Sequence, residues 1–445
     1  MLQTALAGVV LAYLFWQWSF RRLRAASNLP HENLSKEITS STTDPNKNRE
    51  HGSWTPVDFA YPEITPCTLD LADIKPIPYR PFRAGPYNVT MGIRSMPWDE
   101  WIEIDNTYPR YHRIRAFRLR TRGPKALAFH PAQPGIVGTA YEAAIELVHE
   151  LSEYLTRRYP TIYQIIRHDA EGHTEYDKRR HAPGWGGAAP VKQVSVLPLG
   201  VTYDMPLFPI TNLDPSTNET HDDEALQSAA TRAMEIASHL TQEDFALMLE
   251  GTDGRYYFQG GAILVPGFWR MTEKLGLPLE EIHLSGNVPQ YQDKLQMSME
   301  RFFRRMAVDK PVARNNYFVQ IVRPQELLDG RAEDEGDAYF VDPEELGWST
   351  TTNGDEDSAG PGRWGAGEEG LDVRAETLRM RSERQTLRRL GRSGAVVFGI
   401  RTYMTAVEEL VHEEGGVGER LASALRGWSE DVQRYVWLTL FSGWD

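Results

Sequence analysis

Apolar residues recur at helical spacing from Tyr141 to Arg158 (YEAAIELVHELSEYLTRR), and Pro160 closes the run, so the pattern predicts a helix there. Amphipathic runs over Asp223–His239 and Tyr291–Met306 predict two more. A shorter helix is expected over Trp98–Asn106, within a segment whose aromatics, acids and arginines read as a polar cavity wall, and another over RMTEKLGL. Strands are expected within 192–210, in NNYFVQIV and in AVVFGIRTYM, and RYYFQGGAILVPGFW reads as two strand-like runs about a glycine turn. Leu378–Leu390 reads as a basic helix. Leu240-Thr241-Gln242-Glu243-Asp244 places a hydroxyl and two acids where a helix start would use them as caps. The result is a mixed α and β chain without an alternating βαβ series, a GxGxxG loop or a Walker lysine, which argues against a doubly wound nucleotide-binding fold.

The amino terminus departs from this pattern. Residues 2–20 carry no charge and, at about 1.5 Å per residue, would span roughly 29 Å, near the thickness of a bilayer's hydrocarbon layer. Tyr13, Trp16 and Trp18 cluster where an aromatic belt belongs, and Arg21-Arg22-Leu23-Arg24 follows at once. The expectation is a single transmembrane anchor over 1–20 with the body facing the cytosol, in endoplasmic reticulum membrane; a cleaved signal peptide is the alternative. Residues 21–53 are polar and read as a tether to a body spanning 54–445.

Charge changes the picture locally. The 445 residues carry 48 Lys+Arg against 62 Asp+Glu, a net of −14. Between Pro324 and Gly370 there are 14 acids and two bases, a net of −12, so the rest of the chain is close to neutral. That acidic stretch is read as a disordered, solvated insertion, or as a docking surface for a basic partner such as a reductase. No basic surplus favours nucleic-acid binding. The single cysteine, Cys67, excludes a disulfide scaffold and a four-sulfur metal site, and its Pro-rich setting lacks the loop expected of a thiolate haem ligand. Redox chemistry would have to come from a bound cofactor.

No HExxH or GxSxG motif occurs, and His168, His173 and His181 form at most a weak metal cluster. His283, in LPLEEIHLSGNVPQY, sits between an apolar helical run and a Gly/Pro turn. It reads as a capping or core histidine, or as an imidazole held for a metal. RSERQTLRRLGRS carries five arginines, which form a solvated face or clamp an anionic group.

Taken in order, PYRPF, GPYNVTMG, DEWIEIDNTY, LTQEDFALM, GGAILVPGFWRMTEKLG, IHLSGNVPQY, PVARNNYF and RSERQTLRRLGRSGAVVFGIRTY resemble the haem-dependent oxidative N-demethylase alpha-subunit-like family over roughly 55–440. The resemblance implies a PAS-like α+β fold holding haem b and an enzyme that activates O₂ to oxidise a carbon next to nitrogen. It further implies His283 as the axial ligand, and Arg314, Arg384 and Arg388 as anchors for propionates or substrate. Glu243 and Asp244 are candidates for a proton path or for pairing with a substrate ammonium, unless they are only caps. With no flavin, nicotinamide or iron–sulfur signature in the chain, a separate electron-donating reductase is implied, with a small-molecule substrate of specialised metabolism. IHLSGNVP exceeds the common IHxPVP form by a residue or so, which points to a reshaped substrate pocket. Two other classes remain open: a PAS-like haem or ligand sensor without turnover, and a membrane-anchored interaction protein.

Overall fold

A computed structural model describes residues 45–85, 89–131, 133–136, 138–169, 185, 189–209, 223–322, 346–358, 374–430 and 432. The expected anchor at 1–20, most of the tether and most of the acidic insertion lie outside the described residues. Among those described, no helix is long and apolar enough to cross a membrane. Every element below belongs to one compact unit, Asn46–Asp445.

The chain is α+β with antiparallel sheets. A seven-stranded sheet has the order β1 (Arg94–Ser95), β8 (Val312–Ile321), β9 (Leu378–Arg389), β10 (Val396–Ala406), β6 (Glu243–Glu250), β7 (Tyr256–Ala262) and β2 (Leu127–Phe129). A small sheet pairs β3 (Tyr163–Arg167), β4 (Val191–Val196) and β5 (Val201–Asp204). The helices are α1 (Tyr108–Arg122), α2 (Ala140–Arg158), α3 (Asp223–Leu240), α4 (Met271–Lys274), α5 (Leu279–Ser285), α6 (Gln296–Arg305), α7 (Thr350–Asn353), α8 (Val407–His412) and α9 (Val417–Arg426). One π turn, Tyr291–Leu295, leads into α6.

Side chains alternate across a strand, so the large sheet has two distinct faces. On one, Leu147 and Leu151 of α2 and Ala233 and Ala237 of α3 share a core with Phe245, Leu247 and Val397. On the other, Tyr291, Leu295, Met299 and Phe303 pack on Ala246, Met248, Leu387 and Val396. The first will be called the α2 face and the second the α5 face, since α5 lies beside Tyr291 on that side.

The helices at 140–158, 223–240 and 296–305 match their apolar spacing, and Thr139 accepts from Glu142 N at 3.3 Å to cap α2. Other expectations are corrected. Leu378–Arg389 is a central strand, not a basic helix: its arginines are buried on both faces, which removes the alternation that marks a half-buried strand. Glu243 and Asp244 open strand β6 rather than capping a helix. The Trp98–Asn106 helix is reduced to one 3-10 turn, Trp98–Glu100, while the arginine-rich run after it forms α1. RYYFQGGA holds one strand running through both glycines. A Cβ at Gly260 would stand 2.3 Å from the Phe129 ring, so this glycine admits a neighbouring strand rather than making a turn.

Two polar segments are more ordered than their composition implied. From Asn46 the chain packs on the body: Asn46 and Thr55 exchange two hydrogen bonds of 2.9 Å, Arg49 pairs with Glu250, and Trp54 donates to the Gly391 carbonyl at 2.9 Å. Within the acidic insertion, Leu346–Ser349 and Thr351–Asn353 are buried, Ser349 caps α7, and Thr352 Oγ1 accepts from Ile321 N at 2.8 Å. That part is a docked segment and not a solvated loop.

Candidate functional site

The expected site residues divide between the two faces of the sheet. On β9, even-numbered Arg384 and Arg388 point to the α2 face, opposite Arg401 and Val397 of β10. On β8, Arg314 is registered with Gln385 and therefore lies on the α5 face. The Arg314 charge lies near enough to His283 to contribute to its pKa depression. His283 and Arg314 come together; Arg384, Arg388 and Glu243 do not join them.

His283 occupies the last turn of α5, stacked on Tyr291 with ring centroids 4.7 Å apart and planes 7° from parallel. Its Nδ1 lies 2.6 Å from the Leu279 carbonyl. A carbonyl can only accept, so Nδ1 carries the proton and Nε2 presents a lone pair, with no partner among the described residues. Burial, assisted by the Arg314 and Lys274 charges and only partly opposed by the Leu279 hydrogen bond, pushes the imidazole pKa down to about 4. A neutral, oriented imidazole with one unengaged nitrogen is a metal-ligand arrangement. Ile282, the residue before His283, and Val288, whose N donates to the His283 carbonyl at 3.0 Å, pack against the apolar cluster that contains Tyr291, as do Phe398 and Met91. Among the described residues no group of three or more His, Cys, Asp or Glu could hold a metal ion.

The α2 face carries a buried polar network. Glu103 accepts from Tyr79 Oη and Tyr403 Oη, each at 2.5 Å, and Arg384 Nε lies 2.9 Å from its Oε1, in ion-pair range but not aimed as a hydrogen bond. Arg384 also donates to the carbonyls of Glu100 and Trp101. Arg401 pairs with Asp105 at 2.7 Å and lies over the Tyr111 and Tyr403 rings. Glu243 is buried among these groups and accepts from Gln242 N at 3.1 Å. Burial pushes its pKa up to about 7 against the pull of Arg401 and Arg384. Arg388 pairs with Glu150 at 3.3 Å and stacks on Trp101 at 4.2 Å; burial pushes Glu150 up to about 7 as well. Asp244 points the other way from Glu243, held by Arg115 Nη1 at 2.7 Å and Val265 N at 2.8 Å. Near neutral pH this network can store a proton at Glu243, and half-buried Tyr79 lies at its edge.

Sequence reasoning missed Glu103, Asp105, Arg401, Tyr403 and Glu150. A signal for the first four was present: they lie in DEWIEIDNTY and GIRTY, two of the blocks that carried the resemblance. Cys67 is a half-buried free thiol whose amide donates to the Arg158 carbonyl at 2.6 Å.

An oriented imidazole with an open Nε2, near an arginine, is an arrangement suited to holding a metal cofactor. The chain belongs to the haem-dependent oxidative N-demethylase, alpha subunit-like family, whose model matches residues 92–439. No curated protein matches it. A haem asks for an axial donor, apolar contact with its ring and cations for its propionates. The α5 face fits that request in its donor set: His283 has a free Nε2, the nearby cluster is apolar, and Arg314 supplies a cation. Arg314 shares the face of His283, whereas Arg384 and Arg388 lie across the sheet and pair with Glu103 and Glu150.

Proposed function

We propose that this protein is a membrane-anchored, haem-dependent oxidoreductase of the monooxygenase type that oxidises a carbon next to nitrogen, as in N-demethylation, with electrons from a separate reductase. The observation that carries the reading is His283: Nδ1 is tied to Leu279 O at 2.6 Å, the ring is stacked on Tyr291, and the imidazole is neutral at any physiological pH. We assign His283 as the residue that would hold the haem iron and Arg314 as the cation for a propionate, in a site of PAS-like kind on the α5 face. Haem b, when bound, supplies O₂ activation and one-electron chemistry.

The chain's own residues do the rest. The Leu279 carbonyl fixes the tautomer of His283 and strengthens its donor nitrogen. Tyr291 restricts ring rotation. Ile282, Val288 and Phe398 extend the apolar cluster of Tyr291. Glu243, on the opposite face, serves as a proton reservoir near pH 7, while Asp244 holds β6 to Arg115 and the Val265 loop. Anchoring by residues 1–20 would set the body beside membrane-bound reductases, and the uncharged run followed by three arginines supports this.

The test is turnover. The full chain, loaded with haem and given an electron donor and a panel of N-methylamines, is expected to consume electrons in a substrate-dependent way and release aldehyde. Bound haem without substrate-dependent electron consumption would replace the enzyme by a sensor.

A further inference from the structure

Helix α1 is unusual for an acidic protein. Arg110, Arg113, Arg115, Arg118, Arg120 and Arg122 stand on it without a single acid, and Lys125 follows. At its carboxyl-terminal end, three of these cations receive carboxylates from the acidic insertion. Arg118 grips Glu356 through both terminal nitrogens, at 2.6 and 2.7 Å. Arg122 grips Asp357 likewise, at 2.9 and 2.8 Å, and Lys125 adds a contact of 2.7 Å. Arg270 donates to the Glu356 carbonyl at 2.6 Å and reaches Ser358 Oγ at 3.2 Å. These groups line a cleft of about 540 Å³ together with Thr272, Lys274 and Ser285 at the end of α5.

The way the acidic tip is held matters. Its base is fixed by packing: Trp348 and Asn353 are buried, and Asn353 Nδ2 donates to the Gly267 carbonyl at 2.9 Å. Gly354 then breaks the chain at φ 72°, a left-handed conformation that favours glycine, and Asp355–Ser358 contains no apolar side chain. The tip is therefore seated by charge pairs and hydrogen bonds, with Asp357 half exposed. The pairs made by Asp357 are partly exposed and screened by salt, whereas Arg118 and Glu356 are largely covered.

We propose that the carboxyl-terminal end of α1, with Arg118, Arg122 and Lys125 flanked by Arg270, is a docking site for an acidic polypeptide segment of a partner protein, and that Asp355–Asp357 occupies it in cis as a displaceable competitor. The fork geometry of two arginines, each already engaged with both oxygens of a carboxylate, names the ligand chemistry. This goes beyond the haem reading and does not depend on it.

The experiment uses the full chain and a fluorescently labelled poly-glutamate peptide, read by anisotropy. Glu356→Gln/Asp357→Asn is expected to bind the peptide at least ~10-fold more tightly than the unaltered protein at low salt, and to lose that gain at about 0.5 M salt. Adding Arg122→Glu/Lys125→Glu to the same variant is expected to abolish the gain, and a circular dichroism melt shows that each variant is folded. Equal affinity of the folded clasp variant and the unaltered protein would overturn the proposal. So would displacement of the peptide by a DNA oligonucleotide of the same charge, which would mark a site for phosphate rather than carboxylate. Haem absorbance, read in parallel, reports on the other site independently.

Discussion

Replacing Arg384 by Met separates a structural arginine from a haem-anchoring one. Arg384 is 1% exposed and Glu103 8%, and their charges stand 2.9 Å apart. Removing one partner of a buried pair costs about 3–5 kcal/mol, because the remaining charge stays buried. Here Glu103 keeps two phenolic donors, Tyr79 and Tyr403, which places the expected loss at the low end, about 3 kcal/mol. The same substitution frees the Glu100 and Trp101 carbonyls from their donor, which prevents the loss from being smaller. Against a total stability of order 5–15 kcal/mol, this is a large fall in the urea midpoint. Adding Glu103→Gln to Arg384→Met is expected to recover part of it, since the buried charge then disappears. Haem retention per folded molecule should be unchanged in Arg384→Met and reduced in Arg314→Met. A loss of less than about 1 kcal/mol, or loss of haem from Arg384→Met at undiminished stability, would refute the division of these arginines between the two faces.

Three further outcomes follow from the same geometry. Glu243 has its folded pKa raised from 4.5 to about 7, so the folded state binds the extra proton and stability falls as pH rises between those values. Glu243→Gln should flatten that slope in denaturant titrations run at several pH values; an unchanged slope would mean that Glu243 does not titrate there. Tyr291 Oη is buried without a partner, so Tyr291→Phe should be neutral or slightly stabilising and keep the stack on His283, whereas Tyr291→Leu should lower haem occupancy. Equal haem affinity in both would show that the stack does not position the imidazole. Gly394 adopts φ 69° and a Cβ there would meet the Trp54 ring at 2.4 Å, so Gly394→Ala should detach the 46–54 segment, visible as proteolytic cleavage near Arg49, and uncut protein would contradict this.

The long helices were legible because each has a single apolar stripe; α2 and α3 could be read from spacing alone. Strand β9 could not, since a strand buried on both faces by arginines shows no period 2 and its Leu, Arg, Gln and Glu favour a helix when taken singly. The same blindness hid the split of the candidate site. Arg384 and Arg388 sit four residues apart, a spacing that places them on one side of a helix or a strand alike, and only the register of β8 against β9 shows that Arg314 lies on the other side. His283 was singled out from its local sequence, but its tautomer needed the Leu279 carbonyl, which only a helical turn supplies. The docked tip at Asp355–Ser358 was read as solvated because its acids have no local partners; their partners are more than two hundred residues away, on α1.

The central claim is that His283 holds a haem on the α5 face. The optical spectrum of the purified chain expressed with haem supplied, recorded oxidised, reduced and reduced with CO, tests it directly, with His283→Ala beside it. The account predicts a Soret band with the CO shift of a histidine-ligated haem in the unaltered protein, and loss or marked alteration of that band in His283→Ala at unchanged circular dichroism. An identical spectrum and haem occupancy in the two proteins would contradict it.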